Sequence, residues 1–197
     1  MNRCLILSED KQGKIIVLVA PSGSGKTTIA KKILRIFPEV RFSISATTRR
    51  PRADENDGVD YFFLGDEAFT EKVKNGDFLE WEEFYNGTRY GTLRSEVDKM
   101  TENGYFPLLD IEVKGAMNIK KMYGQRCVTI FIRPPSLKEL KRRLIERGSE
   151  TKQSLQNRIE RAEKELLYAE KCDYVVVNDQ LEHACGQVET ILNTFIK

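Results

Sequence analysis

Five consecutive apolar residues, Ile15-Ile16-Val17-Leu18-Val19, open the patterned part of the chain. A continuous, β-branched run of this kind suits a strand buried on both faces, as in a parallel sheet. A glycine-rich turn follows, and Ile29, Ile33 and Phe37 then recur at helical spacing until Pro38 ends the helix. A second strand is predicted from Arg41 to Ala46. Between Thr47 and about Tyr90 the rhythm breaks. A basic loop, Arg49-Arg50-Pro51-Arg52, leads into an acidic, turn-rich stretch from Asp54 to Gly58. Tyr61-Phe62-Phe63-Leu64 and Phe78-Leu79-Glu80-Trp81 then read as short strands around a small helix from about Asp66. This region is predicted to be an insertion with its own small sheet.

Strand and helix patterns alternate again afterwards. Helices are predicted over Leu93 to Asn103 and Gly115 to Met122, and strands over Phe106 to Ile111 and Val128 to Ile132. Ser136 and Glu139 have capping-box spacing ahead of a helix carrying Leu137, Leu140 and Leu144. A polar loop, Arg147 to Gln153, separates it from a helix with Leu155, Ile159, Ala162 and Leu166 in register. Tyr174 to Val177 is the last strand, and a helix from about Leu181 follows. The alternation predicts an α/β fold with a central parallel sheet and right-handed crossovers.

Composition narrows the function classes. The chain has 197 residues, 40% hydrophobic and 31% charged, with a net charge of +2, so it reads as a soluble globular domain. The charge balance gives no global pull toward nucleic acid or membrane. No apolar stretch approaches the ~18 residues of a membrane span, and Met1 to Asp10 has too short an apolar core for a secretory signal. Cys4, Cys127, Cys172 and Cys185 form no C-x-x-C pair, so a reducing cytoplasm is the simple reading. His183 is the only histidine, which argues against histidine-based catalysis, and it is expected on the surface of the last helix.

The first candidate chemistry is the segment Ala20-Pro21-Ser22-Gly23-Ser24-Gly25-Lys26-Thr27-Thr28. It lies after a strand and before a helix, and Gly25-Lys26-Thr27 match the end of the phosphate-binding loop pattern G-x-x-x-x-G-K-[ST]. Loop N–H groups and the helix N-terminus would hold the phosphates of a nucleoside triphosphate, Lys26 would bridge β and γ, and Thr27 would offer its hydroxyl to Mg²⁺. Ala20 stands where the pattern has glycine; a methyl is tolerated there only if φ is negative.

A second cluster follows the second predicted strand. Arg49 and Arg52 could grip a dianionic phosphate bidentately, although such a pair also fits a solvated basic loop. Tyr61 and Tyr90 would add hydroxyl donors. Asp110 and Glu112 sit where a strand emerges at the sheet edge that carries the loop, placing an acid within reach of Mg²⁺.

These pieces together resemble guanylate kinase, from about Gly13 to the C-terminus. The resemblance rests on the Ala20–Thr28 loop, Ser45-Ala46-Thr47-Thr48-Arg49-Arg50-Pro51-Arg52 and Gly58-Val59-Asp60-Tyr61. It continues through Phe78-Leu79-Glu80-Trp81, Tyr90-Gly91-Thr92, Asp110 to Gly115, Arg143 to Glu150 and Val177-Asn178-Asp179. It implies a P-loop nucleoside monophosphate kinase core at 13–46 and 93–197, with a helical lid at about 136–158. Residues 47–92 would form an α+β GMP-binding insertion, and 1–12 an N-terminal extension.

The activity implied is ATP-dependent phosphorylation of GMP, and of dGMP, to GDP with Mg²⁺. Arg49, Arg52, Tyr61 and Tyr90 would hold the GMP phosphate, and Ser45, Glu80 and Thr92 the guanine. Asp110 would serve the metal and phosphate region. Glu112, where many relatives have aspartate, would contact the GMP base or ribose. Arg147 and Arg158 would reach the transferring phosphate from the lid, and Asn178 the adenine of ATP. Glu80 also has its own rationale: one carboxylate can accept from guanine N1–H and the 2-amino group together, and adenine lacks that donor pair. The alternatives are an inactive phosphoprotein-binding module of the same fold and a monophosphate kinase of different base preference. A monomer or homodimer is expected.

Overall fold

The computed structural model describes residues 13–84, 87–146 and 152–197. The predicted N-terminal extension 1–12, and Arg147 with 148–151 of the predicted lid loop, lie outside the described residues. In chain order the elements are β1 (Ile15–Val19), α1 (Lys26–Ile36), β2 (Val40–Phe42), β3 (Ala46–Thr47), β4 (Phe62–Phe63), α2 (Asp66–Asn75), β5 (Phe78–Glu83) and β6 (Arg89–Leu93). Then come α3 (Arg94–Glu102), β7 (Phe106–Asp110), α4 (Val113–Tyr123), β8 (Cys127–Arg133), α5 (Leu137–Glu146), α6 (Lys152–Leu166), β9 (Tyr174–Val177) and α7 (Leu181–Ile196).

Five strands form a parallel sheet in the order β2-β7-β1-β8-β9. The apolar run of β1 is buried along its whole length because its alternate residues feed two cores. Ile16 and Leu18 pack with Ile29 and Ile33 of α1 and Val188 and Leu192 of α7. Ile15, Val17 and Val19 pack with Val97 of α3 and Ala116 and Ile119 of α4. Each buried aliphatic side chain contributes roughly 1.5–3 kcal/mol, so the middle of the sheet is a rigid mount for the loop that leaves β1.

The predicted strand from Arg41 to Ala46 is in fact two strands in two sheets. β2 pairs with β7, ending where Ser43 N–H donates to the Leu108 carbonyl at 2.9 Å. Two residues on, the Ser45 carbonyl accepts from Phe62 N–H at 2.9 Å, and Ala46 and Thr47 pair with Gly91 and Tyr90. Side-chain pattern sets which face is buried, not which strand is the partner, so the change of sheet is invisible in it.

β3 joins a four-stranded sheet of order β4-β3-β6-β5. Its small core is Ala46, Phe69, Phe78 and Leu93, with the Phe69 and Phe78 rings stacked at 4.5 Å. A second small core joins the last two helices before β9, where Leu140 and Leu144 of α5 meet Leu155 and Ala162 of α6. Leu137, expected on that stripe, is 38% exposed. Only half of the predicted capping box forms: Ser136 Oγ accepts from Glu139 N–H at 3.1 Å, while the Glu139 carboxylate turns to Arg142 and Arg143. His183 is exposed on α7. No helix among the described residues is long and apolar enough to cross a membrane.

Candidate active site

Between Val19 and Lys26 the chain wraps tightly. Gly23 and Gly25 have φ of +92° and +90°, in the left-handed region that favours glycine. Space forbids a side chain at Gly25 as well, since a Cβ there would lie 2.3 Å from Asn178 Nδ2. At Gly23 a Cβ would crowd Leu144 at 3.0 Å, so α5 packs directly on the loop. No non-glycine residue described has a positive φ, which settles Ala20: its methyl sits on unstrained backbone against the core.

α1 begins at Gly25 with no side-chain cap and no acid in its first turn. Its opening N–H groups and dipole therefore suit an anion. Lys26 Nζ is ion-paired with Asp110 at the end of β7, while Thr27 and Thr28 are exposed beside it. Arg158 of α6 donates to Ser22 Oγ at 3.1 Å. The Asn178 side chain is buried against the loop. Its Nδ2 donates to the Ser24 carbonyl at 2.7 Å, bracing the loop from behind.

Facing this loop is a cleft of about 370 Å³. Its walls include Lys26, Ser45, Tyr61, Glu80, Tyr90, Asp110 and Glu112, which places residues of both predicted clusters around one space. Glu80 on β5 lies opposite Thr92 on β6, and Thr92 Oγ1 donates to Glu80 Oε1 at 2.6 Å. Burial raises the Glu80 pKa above the ordinary carboxylate value, and the bonds from Thr92 offset this only in part. A Cβ on Gly115, in the first turn of α4, would come within 2.7 Å of Glu80 Oε2. Glycine at that position is what gives the carboxylate its room.

Arg49 is held from several sides. Its Nε donates to Tyr90 Oη at 3.2 Å, and its guanidinium lies 4.8 Å from the Tyr61 ring centre and 5.4 Å from that of Phe63. Sequence reasoning missed its closest partner. Glu55 takes the Arg49 fork with both carboxylate oxygens and also accepts the Arg52 N–H at 2.9 Å. The Arg49 guanidinium in turn holds the Glu55 pKa down at about 2. Neither Arg49 nor Glu55 lines the cleft itself; Arg49 reaches its wall through Tyr90 and Tyr61. The Arg52 side chain is exposed nearby. Glu112, at the cap of α4, is ion-paired with Arg161 at 2.8 Å, another partner the sequence reading did not assign.

Among the described residues no cluster of three or more acidic, histidine or cysteine side chains could cage a metal. One threonine hydroxyl and one carboxylate beside a phosphate loop fit Mg²⁺, which keeps most of its waters and leans on substrate phosphates.

The family model described as guanylate kinase matches residues 12–195. The guanylate kinase of Salinibacter ruber is 52% identical over 182 residues, 92% of this chain and 96% of that protein. That of Bacteroides fragilis is 44% identical, covering 94% and 91%. A crystal structure of guanylate kinase from Anaplasma phagocytophilum superposes with a TM-score of 0.74 at 33% identity, covering 93% and 86% of the two chains. A shikimate kinase structure from Bacteroides thetaiotaomicron, 16% identical with a TM-score of 0.50, shares the fold alone.

Proposed function

The chain belongs to the guanylate kinase family, and on that premise we propose how its residues divide the work of phosphorylating GMP with ATP. The observation that carries the reading is that the loop lysine Lys26 lines one cleft together with Glu80, whose carboxylate is bonded by Thr92. The enzyme converts ATP and GMP to ADP and GDP. Phosphoryl transfer needs positioning and charge stabilisation more than a strong base, and the site is supplied accordingly.

The N–H groups of 20–28 and the start of α1 would cradle the ATP phosphates. Lys26, now paired with Asp110, would turn to the β- and γ-phosphates. Asn178 keeps the loop in shape through Ser24. In the acceptor half, Arg49, Arg52, Tyr61 and Tyr90 would hold the GMP phosphate in line with the γ-phosphorus. Glu80 would accept from guanine N1–H and the 2-amino group, with Thr92 and Ser45 beside it. Arg158, already at Ser22, would neutralise charge on the transferring group together with Arg147. Thr27, and Asp110 through water, would hold Mg²⁺, which supplies charge neutralisation across the phosphate oxygens. Glu112, which lines the cleft, would contact the base or ribose.

A coupled assay with ATP against GMP, dGMP, AMP, CMP, UMP and dTMP tests this reading. Turnover confined to the guanine nucleotides is expected. Preference for any other base would remove the role given to Glu80, and absence of turnover would favour a binding module.

A further inference from the structure

Arg161 stands where three parts of the chain meet. From α6 its Nη2 reaches Glu112, at the cap of α4, at 2.8 Å, and approaches Glu82 of β5 at 4.0 Å. Its Nε bonds Glu165, one turn further along α6, at 2.8 Å. The guanidinium also lies 4.6 Å from the centre of the Phe84 ring. Glu82, Phe84 and Glu112 are walls of the acceptor cleft. On the same helix, three residues earlier, Arg158 contacts Ser22 of the donor loop. Residues three apart share a helix face. One rigid element thus touches the acceptor cleft through Arg161 and the donor loop through Arg158.

We propose that Arg161 is a positioning residue for phosphoryl transfer, docking α6 on Glu112 and thereby setting where Arg158 stands over the donor loop. The inference rests on the assignment of Arg158 to the transferring phosphate. The pair is not an ordinary surface contact, since the Arg161 and Glu112 side chains are only 26% and 33% exposed. Breaking a partly buried pair from one side leaves the other charge uncompensated, so its geometry is held more firmly than that of a solvent-exposed bridge. The surrounding charges agree. Glu82, Glu112 and Glu165 all face this one cation. Burial and the neighbouring Glu112 push the Glu165 carboxyl well above the usual range.

The test is steady-state kinetics with ATP and GMP each varied, on Arg161→Gln, Glu112→Gln, the double variant and Arg158→Ala. Arg161→Gln is expected to lower kcat about tenfold while KM for ATP stays within about twofold, as displacement of a catalytic group by a fraction of an ångström does. The double variant should be no slower than the slower single variant, because both changes break one contact. A kcat for Arg161→Gln within about twofold of wild type, or losses that multiply in the double variant, would overturn the proposal. Unimpaired turnover by Arg158→Ala would overturn the assignment of Arg158 itself, and the inference with it, while leaving GMP kinase activity in place. Thermal melting monitors the fold. Should Arg161→Gln not fold, Arg161→Lys keeps a cation among the carboxylates; a reduced kcat at unchanged KM for ATP is then expected, and wild-type kcat sinks the idea.

Discussion

Thr92 Oγ1 donates to Glu80 Oε1 at 2.6 Å across the paired strands β5 and β6, which leaves the second carboxylate oxygen turned toward α4. The hydroxyl fixes one carboxylate oxygen, leaving the other acceptor positions for the guanine edge that the proposed role requires. Glu80→Gln retains the shape but presents one acceptor oxygen in place of two. A loss of roughly tenfold to a hundredfold in kcat/KM for GMP is expected, from hydrogen bonds to a charged group. KM for ATP should be nearly unchanged. Equal losses for both substrates would mean a folding defect instead.

Acidity gives Glu80 a second signature. In the role proposed for Glu80, guanine takes the ionised carboxylate, while burial favours the protonated form in the empty protein. The stability of the empty protein due to this group is therefore full below the ordinary carboxylate pKa. It is lost as pH rises through the raised value. GMP affinity runs the other way, rising with pH across the same titration, and binding there releases a proton. Calorimetry in buffers of different ionisation enthalpy measures that proton, and Glu80→Gln should abolish it.

Gly115→Ala separates activity from stability. The added Cβ meets Glu80 at 2.7 Å and must displace its carboxylate. Alanine in a helix is otherwise favoured over glycine by about 1 kcal/mol. KM for GMP should rise while the melting temperature holds or increases. Unaltered GMP kinetics would show that the carboxylate position is not critical.

Glu55 is expected to act through Arg49. Glu55→Gln loses one half of the fork and the charge, so KM for GMP should rise severalfold with little effect on ATP, read in the same assay. Because its folded pKa is lowered to about 2, the ion pair is intact above the ordinary carboxylate pKa. Its contribution to stability is lost as pH falls toward that value, so acid unfolding should begin at higher pH in the variant.

Ala20→Gly would restore the glycine of the general loop pattern. Because φ is not positive there, the change should bring no gain in ATP affinity. It should lower stability by about 0.4–1 kcal/mol through the freer unfolded chain. A tighter KM for ATP would show that the methyl obstructs the loop.

Much of this was legible in the sequence for definite physical reasons. The β1 run could only be a buried strand, and Gly25-Lys26-Thr27 after it has few other uses. What stayed hidden depends on partners distant in sequence. The 41–46 run changes sheets because Leu108 and Phe62 take over its backbone in turn. Glu55 reads as one acid among several in a turn until its carboxylate is seen in the Arg49 fork. Gly115 shows no special backbone angle, and its purpose is visible only from the position of Glu80. Arg161 sits among other arginines at helical spacing, and only the fold brings Glu112 to it.

Among the described residues, every left-handed backbone position is a glycine. The phosphate loop is therefore not a loaded spring. No non-glycine residue in it is held at a positive φ, so no left-handed strain of that kind is stored there for a nucleotide to release. Its cost lies instead in the conformational freedom surrendered by Gly23 and Gly25 when the chain folds. With that settled before substrate binds, catalysis is left to the placement of fixed charges.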